Sequence, residues 1–374
     1  MKLVTTFAFL TIQKNLLMNN IRIAQPICRC LCIACLAWFA PPDNAWATTP
    51  GTHNAAPGAD KISPPRFLMA WGQEGTSDGQ FKAPIGIAIS AADDVFITDA
   101  LNNCVQRFRS DGRFLDKVAT GSFPGGIAVD RDGLIFVAVM MEHKISVFRA
   151  KRKRLASEEP AAAYELVREW GKKGTAAGEF DQPGGLAFGL DGSLIVCDQV
   201  NHRVQRFMTD GRFLAKWGEY GKLPGQFGAP EGPANRVGGP CMTAVDREGN
   251  IYTTEPTAGR IQKFSPDGKC LDSWGSNEVN AGAFGGGAKL KGPIAIAFDR
   301  DNRVWVSATN HRVQMFTAEG QYLTGLGNTA TPGQAAGQFR TPHGMAFDSH
   351  GVLYVVDTQN HRVQKFAFDA AAPP

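Results

Sequence analysis

Asn360-His361-Arg362-Val363-Gln364-Lys365-Phe366 is one of three near-identical heptads in this chain; the others run from Asn201 to Phe207 and from Asn310 to Phe316. Looser copies end at Phe108, Phe148 and Phe264. Six copies therefore close on a phenylalanine, at intervals of 40, 59, 57, 52 and 50 residues. A unit recurring at this period marks a repeat architecture, in which each unit is one supersecondary module and its neighbours complete its core.

Working outward from the heptad, each unit has four parts. A short apolar run follows a proline or glycine, as in Ile85 to Ile89 or Gly344 to Phe347. A polar turn leads into a β-branched run, such as Val95 to Thr98 or Leu353 to Val356. The Val-Gln-x-Phe strand follows, then a turn ending in glycine at Gly112, Gly211, Gly268 or Gly320. The last part carries an aromatic anchor, as in Phe213-Leu214-Ala215-Lys216-Trp217-Gly218. Alternating β-branched and aromatic runs between glycine turns are hairpin signals. Four short antiparallel strands per unit, six times over, give an all-β fold: a six-bladed β-propeller of four-stranded blades. The last unit stops at the heptad, whereas Arg66 to Gly72 is an orphan fourth strand ahead of the first. The N-terminal strand is thus expected to complete the last blade, closing the ring and removing two open sheet edges.

The 374 residues, 43% apolar and 20% charged with 42 glycines, suit a turn-rich β chain of net charge +4. That charge is too small to imply nucleic acid or an anionic membrane. Residues 1–47 read as a signal peptide: Arg22 and Arg29 precede the apolar run Leu31 to Ala40, and Ala45-Trp46-Ala47 fits a cleavage site, with Met18 a candidate true start. The apolar run is too short for a permanent span. Without it the chain carries 35 basic and 34 acidic residues and keeps Cys104, Cys197, Cys241 and Cys270, an even number whose pairing the spacing does not assign. Residues 48–64 read as a flexible linker, 65–369 as the propeller and 370–374 as a tail. A secreted or periplasmic monomer is expected.

The grammar resembles the NHL repeat family over residues 65–369. Gly79-Gln80-Phe81-Lys82-Ala83-Pro84-Ile85-Gly86 and Gly337-Gln338-Phe339-Arg340-Thr341-Pro342-His343-Gly344 carry its opening motif, and the heptads carry its close. The resemblance implies a six-bladed propeller with a central channel. It also brings three classes of function: a binding scaffold, a metal-dependent propeller enzyme, and RNA binding or ubiquitin-ligase association. Peptidyl-hydroxyglycine lyases of this type use a channel zinc. Only His343 stands on an innermost strand here, short of the three protein ligands such a zinc needs. A lactonase-like calcium site of acidic, amide and carbonyl oxygens stays open, and no other cofactor is expected. RNA and ubiquitin-ligase roles fit poorly with a charge of +1 and export, and no zinc module accompanies the repeats. The leading expectation is an exported binding propeller taking a protein, peptide or glycan on its channel-mouth face, with no nucleic acid and no stable membrane span.

Asp198 and Arg203, like Asp357 and Arg362, flank one loop and are expected to pair, stapling that loop to its blade. Repeated residues do repeated structural work, so specificity is expected where the pattern lapses. Those places are Cys104 at an arginine position, the variant loop from Val139 to Lys144, Ser307 at an acid position, Glu255 and Arg260 in blade four, and His343 at the mouth, whether ligand-facing, metal-binding or simply solvated. Two long blade-joining segments, 219–239 and 276–292, add Lys289 and Lys291 as candidates. The basic run Arg149 to Arg154 reads as a solvated insertion on the opposite face.

Overall fold

The computed structural model describes residues 62–151, 163–228, 238–276, 281–285, 292–327 and 332–368. The targeting segment, nearly all of the linker, Arg152 to Arg154, Lys289, Lys291 and the tail lie outside the described residues.

Six four-stranded antiparallel sheets form in sequence. Blade one is Pro84–Ile89, Val95–Asp99, Cys104–Phe108 and Phe114–Ala119, from the innermost strand to the outer one. Blade three is Pro183–Phe188, Leu194–Asp198, Arg203–Phe207 and Phe213–Trp217. Blades two, five and six begin at Pro124, Pro293 and Pro342. Proline suits the first residue of a strand, where no ladder N–H is needed. The outer strand of blade six is Arg66–Trp71, paired with Arg362–Ala367. Phe67 stands opposite Phe366, their rings 5.9 Å apart and edge-on. The seam is fastened elsewhere too. The Thr358 hydroxyl donates to the Pro84 carbonyl at 2.7 Å, and the Ser349 hydroxyl donates to Asp93 at 2.7 Å.

The aromatic anchors lie between blades. Trp170, on the outer strand of blade two, packs against Phe207 of blade three, and Trp274 of blade four packs against Phe316 of blade five. The indole lies on the glycine of the next blade's outer turn. At Gly211, with φ of +93°, a Cβ would sit 3.0 Å from the Trp170 ring. That contact explains why the tryptophan and the turn glycine recur together. The heptad phenylalanines 108, 207, 264, 316 and 366 are all fully buried.

The innermost strands crowd the axis. A Cβ at Gly126 would lie 2.4 Å from the Gly184 carbonyl, and one at Gly344 would lie 2.6 Å from that of Ile85. Blade four departs from this: Met242 stands where blades one, two, three and six have glycine and blade five has Ala295, and its inner strand shortens to Thr243–Val245. The channel between the six strands holds a cavity of about 280 Å³ with an apolar wall that includes Ile87, Ile127, Leu186, Val245, Phe298 and Phe347.

Candidate functional site

The loops joining blades and the loops joining second to third strands share one face, around the channel mouth. In blade three the second strand ends at Asp198 directly opposite Arg203. The carboxylate is fully buried, and Arg203 Nε donates to its Oδ2 at 2.7 Å. Asn201 and Gln205 also donate to it, and its Oδ1 accepts the Asp181 N–H at 2.8 Å. The remaining guanidinium nitrogens donate to the carbonyls of Thr175, Ala176 and Glu179 in the blade-joining loop. Blade six repeats this with Asp357 and Arg362 at 2.8 Å. Glu255 and Arg260 of blade four, expected to face a ligand, form the same buried pair at 2.8 Å. Burial raises the pKa of all three acids above the usual carboxylate range, against the pull of their arginine and amide donors.

The histidine of each heptad has a backbone reason. His143, His202, His311 and His361 all lie in the left-handed region, φ 53–64°, as do Asn103 and Gly259 at the matching positions of blades one and four. From there the side chain reaches the next blade. His143 Nδ1 accepts the Gln182 N–H at 3.1 Å, His311 Nδ1 accepts the Thr341 N–H at 3.0 Å, and Asn103 Oδ1 accepts the Phe123 N–H at 3.0 Å. Each of these donors immediately precedes a strand-opening proline. The run of histidine, asparagine and glycine at one position was the available signal, since these residues tolerate positive φ.

Three lapses in the pattern resolve differently. In blade two Val139 pairs with Lys144, whose ammonium turns to Glu142 at 2.8 Å and Glu169 at 2.9 Å. In blade five the expected register is wrong by one residue: Ala308, not Ser307, stands opposite Arg312. The connecting turn has lost a residue, so Ser307 takes the place that Thr98 and Thr254 hold in blades one and four. Its hydroxyl accepts the Ala295 N–H at 3.1 Å and donates to the His343 carbonyl of the next blade at 2.7 Å. Thr98 does the same between Gly86 and Gly125. In blade one Cys104 stands opposite Asp99, and burial lifts its thiol pKa to about 12, so it is not a thiolate at neutral pH.

His343 is 3% exposed, and burial lowers its pKa to about 3, which leaves the imidazole neutral at ordinary pH. The solvated alternative therefore does not hold. The mouth-side loops expose apolar side chains instead: Leu101 at 41%, Tyr220 at 51% and Leu223 at 65%. Tyr220 also lies edge-on to His202, with centroids 4.9 Å apart. Among the described residues no three His, Cys, Asp or Glu side chains converge as a metal site would require, and no helix is long and apolar enough to cross a membrane.

Six blades of one grammar, closed by an N-terminal strand, define a repeat β-propeller. Residues 180–207 and 339–366, in blades three and six, match the NHL repeat. The chain is an NHL-repeat propeller. It is 25% identical over 153 residues to Protein brain tumor of Drosophila melanogaster, a match covering 40% of this chain and 14% of that protein. By structure it resembles virginiamycin B lyase from Staphylococcus aureus, with a TM-score of 0.51 and 16% identity over 77% of this chain and 96% of the lyase. It likewise resembles a gluconolactonase from Xanthomonas campestris, with a TM-score of 0.53 and 16% identity over 85% and 99% of the two chains. At such identities the likeness is one of fold.

Proposed function

We propose that this protein is an exported binding propeller that takes a protein, peptide or glycan partner on its channel-mouth face. The observation that carries this reading is the division of labour on that face. The buried carboxylates of blades three, four and six are consumed in holding loops, while Leu101, Tyr220 and Leu223 are left exposed. Exposed aromatic and aliphatic side chains on rigid loops are what a partner buries. A three-ligand site of His, Cys, Asp or Glu side chains has no counterpart among the described residues, and a calcium site of amide and carbonyl oxygens is left to the lactonase assay below. The binding reading therefore comes first.

Affinity capture from the extracytoplasmic fraction, followed by the paired substitution Tyr220→Ala and Leu223→Asp, tests it. Loss of a captured partner with an unchanged melting temperature is the expected result. Capture that survives these substitutions and a Leu101→Asp change would move the site elsewhere. Turnover of lactone substrates by metal-supplemented protein, abolished by chelation, would favour the enzyme reading instead.

A further inference from the structure

Blade one holds the receptor for a guanidinium group without the arginine that fills it in its sister blades. In blades three and six the guanidinium lies between a buried carboxylate and three loop carbonyls: Thr175, Ala176 and Glu179, or Gln334, Ala335 and Gln338. The matching carbonyls of blade one, counted back from Phe81, belong to Thr76, Ser77 and Gln80. That loop has the same internal bonding. The Gly75 N–H donates to Phe81 at 3.0 Å, as Gly174 does to Phe180 at 3.1 Å. The Gly79 N–H donates to Gln106 at 2.9 Å, as Gly178 does to Gln205 at 3.0 Å. Asn102 donates to Gly75 at 2.9 Å, as Asn201 does to Gly174 at 2.8 Å. Opposite stands Asp99, fully buried, with no ion pair among the described residues, and the short Cys104 side chain in the arginine's place.

A second observation comes from the other side of Asp99. In blades three and six the carboxylate accepts one loop N–H, from Asp181 or Arg340, while the following N–H goes to the preceding blade's histidine. Asp99 takes both, from Lys82 at 3.1 Å and Ala83 at 2.8 Å. The histidine that would accept the Ala83 N–H is His361, across the closing seam, and its buried Nδ1 has no hydrogen-bond partner. Asp99 thus holds both donors, the second of which goes to the preceding blade's histidine in blades three and six.

We propose that this cradle binds a guanidinium group brought from outside the fold, free or on a partner's arginine, and that occupancy returns the Ala83 N–H to His361, tightening the seam between blades six and one. The group would enter over Cys104 and make the charge-assisted bonds that Arg203 makes in blade three. The proposal stands apart from the macromolecular partner proposed above.

Melting of the full chain tests it, with methylguanidinium chloride as probe against tetramethylammonium and sodium chlorides at equal ionic strength. The expected result is a saturable rise in melting temperature of about 2 °C with methylguanidinium only. Cys104→Arg should melt higher than the parent and lose the response, and Asp99→Asn should lose it too. If Cys104→Arg does not fold, Cys104→Ala must keep the response, because it leaves the cradle open. Tighter binding of a blocked Gly-Arg-Gly peptide than of methylguanidinium would assign a partner's arginine; equal or weaker binding would assign a free cation. An equal shift with tetramethylammonium, or an Asp99→Asn variant that responds like the parent, overturns the proposal.

Discussion

His143 Nδ1 accepts the backbone N–H of Gln182 at 3.1 Å, across the boundary between blades two and three, and both residues have positive φ. At 143 and 311 the recurring histidine is thus an inter-blade clamp whose backbone sits in the left-handed region, whereas the buried Nδ1 of His202 and of His361 has no hydrogen-bond partner. His143→Asn keeps the acceptor and tolerates the conformation, as Asn103 does in blade one, and should be nearly neutral. His143→Ala loses the acceptor and adds backbone strain, and should cost about 1–3 kcal/mol. Urea unfolding of the two variants separates these outcomes.

Asp198 and Arg203 form a buried pair in which each side chain satisfies the other. Removing one partner leaves the other's charge buried without its counter-charge, with only neutral hydrogen-bond partners remaining. Arg203→Met or Asp198→Ala alone should cost about 3–5 kcal/mol, and the double variant less than the sum of the two. A double-mutant cycle in urea measures this. Strict additivity would mean that the pair is not coupled.

Ser307 bridges the Ala295 N–H and the His343 carbonyl, so Ser307→Ala should cost roughly 1–2 kcal/mol, whereas Ser307→Thr should be tolerated, because threonine fills the same place at 98 and 254. The pair of variants also tests the register. Had Ser307 stood at the acid position opposite Arg312, Ser307→Asp would be accepted; in the observed register it buries an unpaired carboxylate and should unfold the blade.

The fold was legible because six units repeat one grammar, and because Arg66 to Gly72 has no other blade to join. The loop pairs were legible at the spacing of five residues that separates Asp198 from Arg203. Glu255 and Arg260 have that spacing too, and the one extra methylene of the glutamate disguised them as ligand-facing. Carrying the same spacing into blade five produced the error at Ser307, since a turn shortened by one residue moves the partner to Ala308. Burial of His343 was hidden because its position holds isoleucine, glycine or cysteine in other units. Such a mixture does not reveal whether the neighbouring strand covers the side chain.

Deleting Arg66 to Gly72 should open the ring. Trp71–Phe108 and Phe67–Phe366 contacts would be lost together with the ladder to Arg362–Ala367, exposing the edge of that strand. A sharp fall in melting temperature and concentration-dependent aggregation are expected. If the truncated protein melts like the parent, the strand contributes nothing to closure.

The acid limb of stability should depend on His343. Its folded pKa is lowered to about 3 by burial, below the ordinary histidine value of 6.5, so the unfolded chain binds the proton more readily. A histidine lowered in this way leaves stability intact above pH 6.5 and lowers it progressively as the pH falls from there towards 3, by on the order of 1 kcal/mol per pH unit. His311, lowered to about 4 by burial and the nearby Arg340 charge, acts in the same direction over a narrower window, and its protonation also removes the acceptor for the Thr341 N–H. The raised carboxylates Asp198, Glu255 and Asp357 act oppositely: their burial favours the protonated form, so they become less of a burden as the pH falls through their folded values. The histidine contribution is isolated by comparing the parent with His343→Leu. The difference in unfolding free energy between the two proteins should be constant above pH 6.5 and shift in favour of the leucine variant between pH 6.5 and 3. A difference that does not change with pH would mean that the imidazole is hydrated in solution and titrates normally.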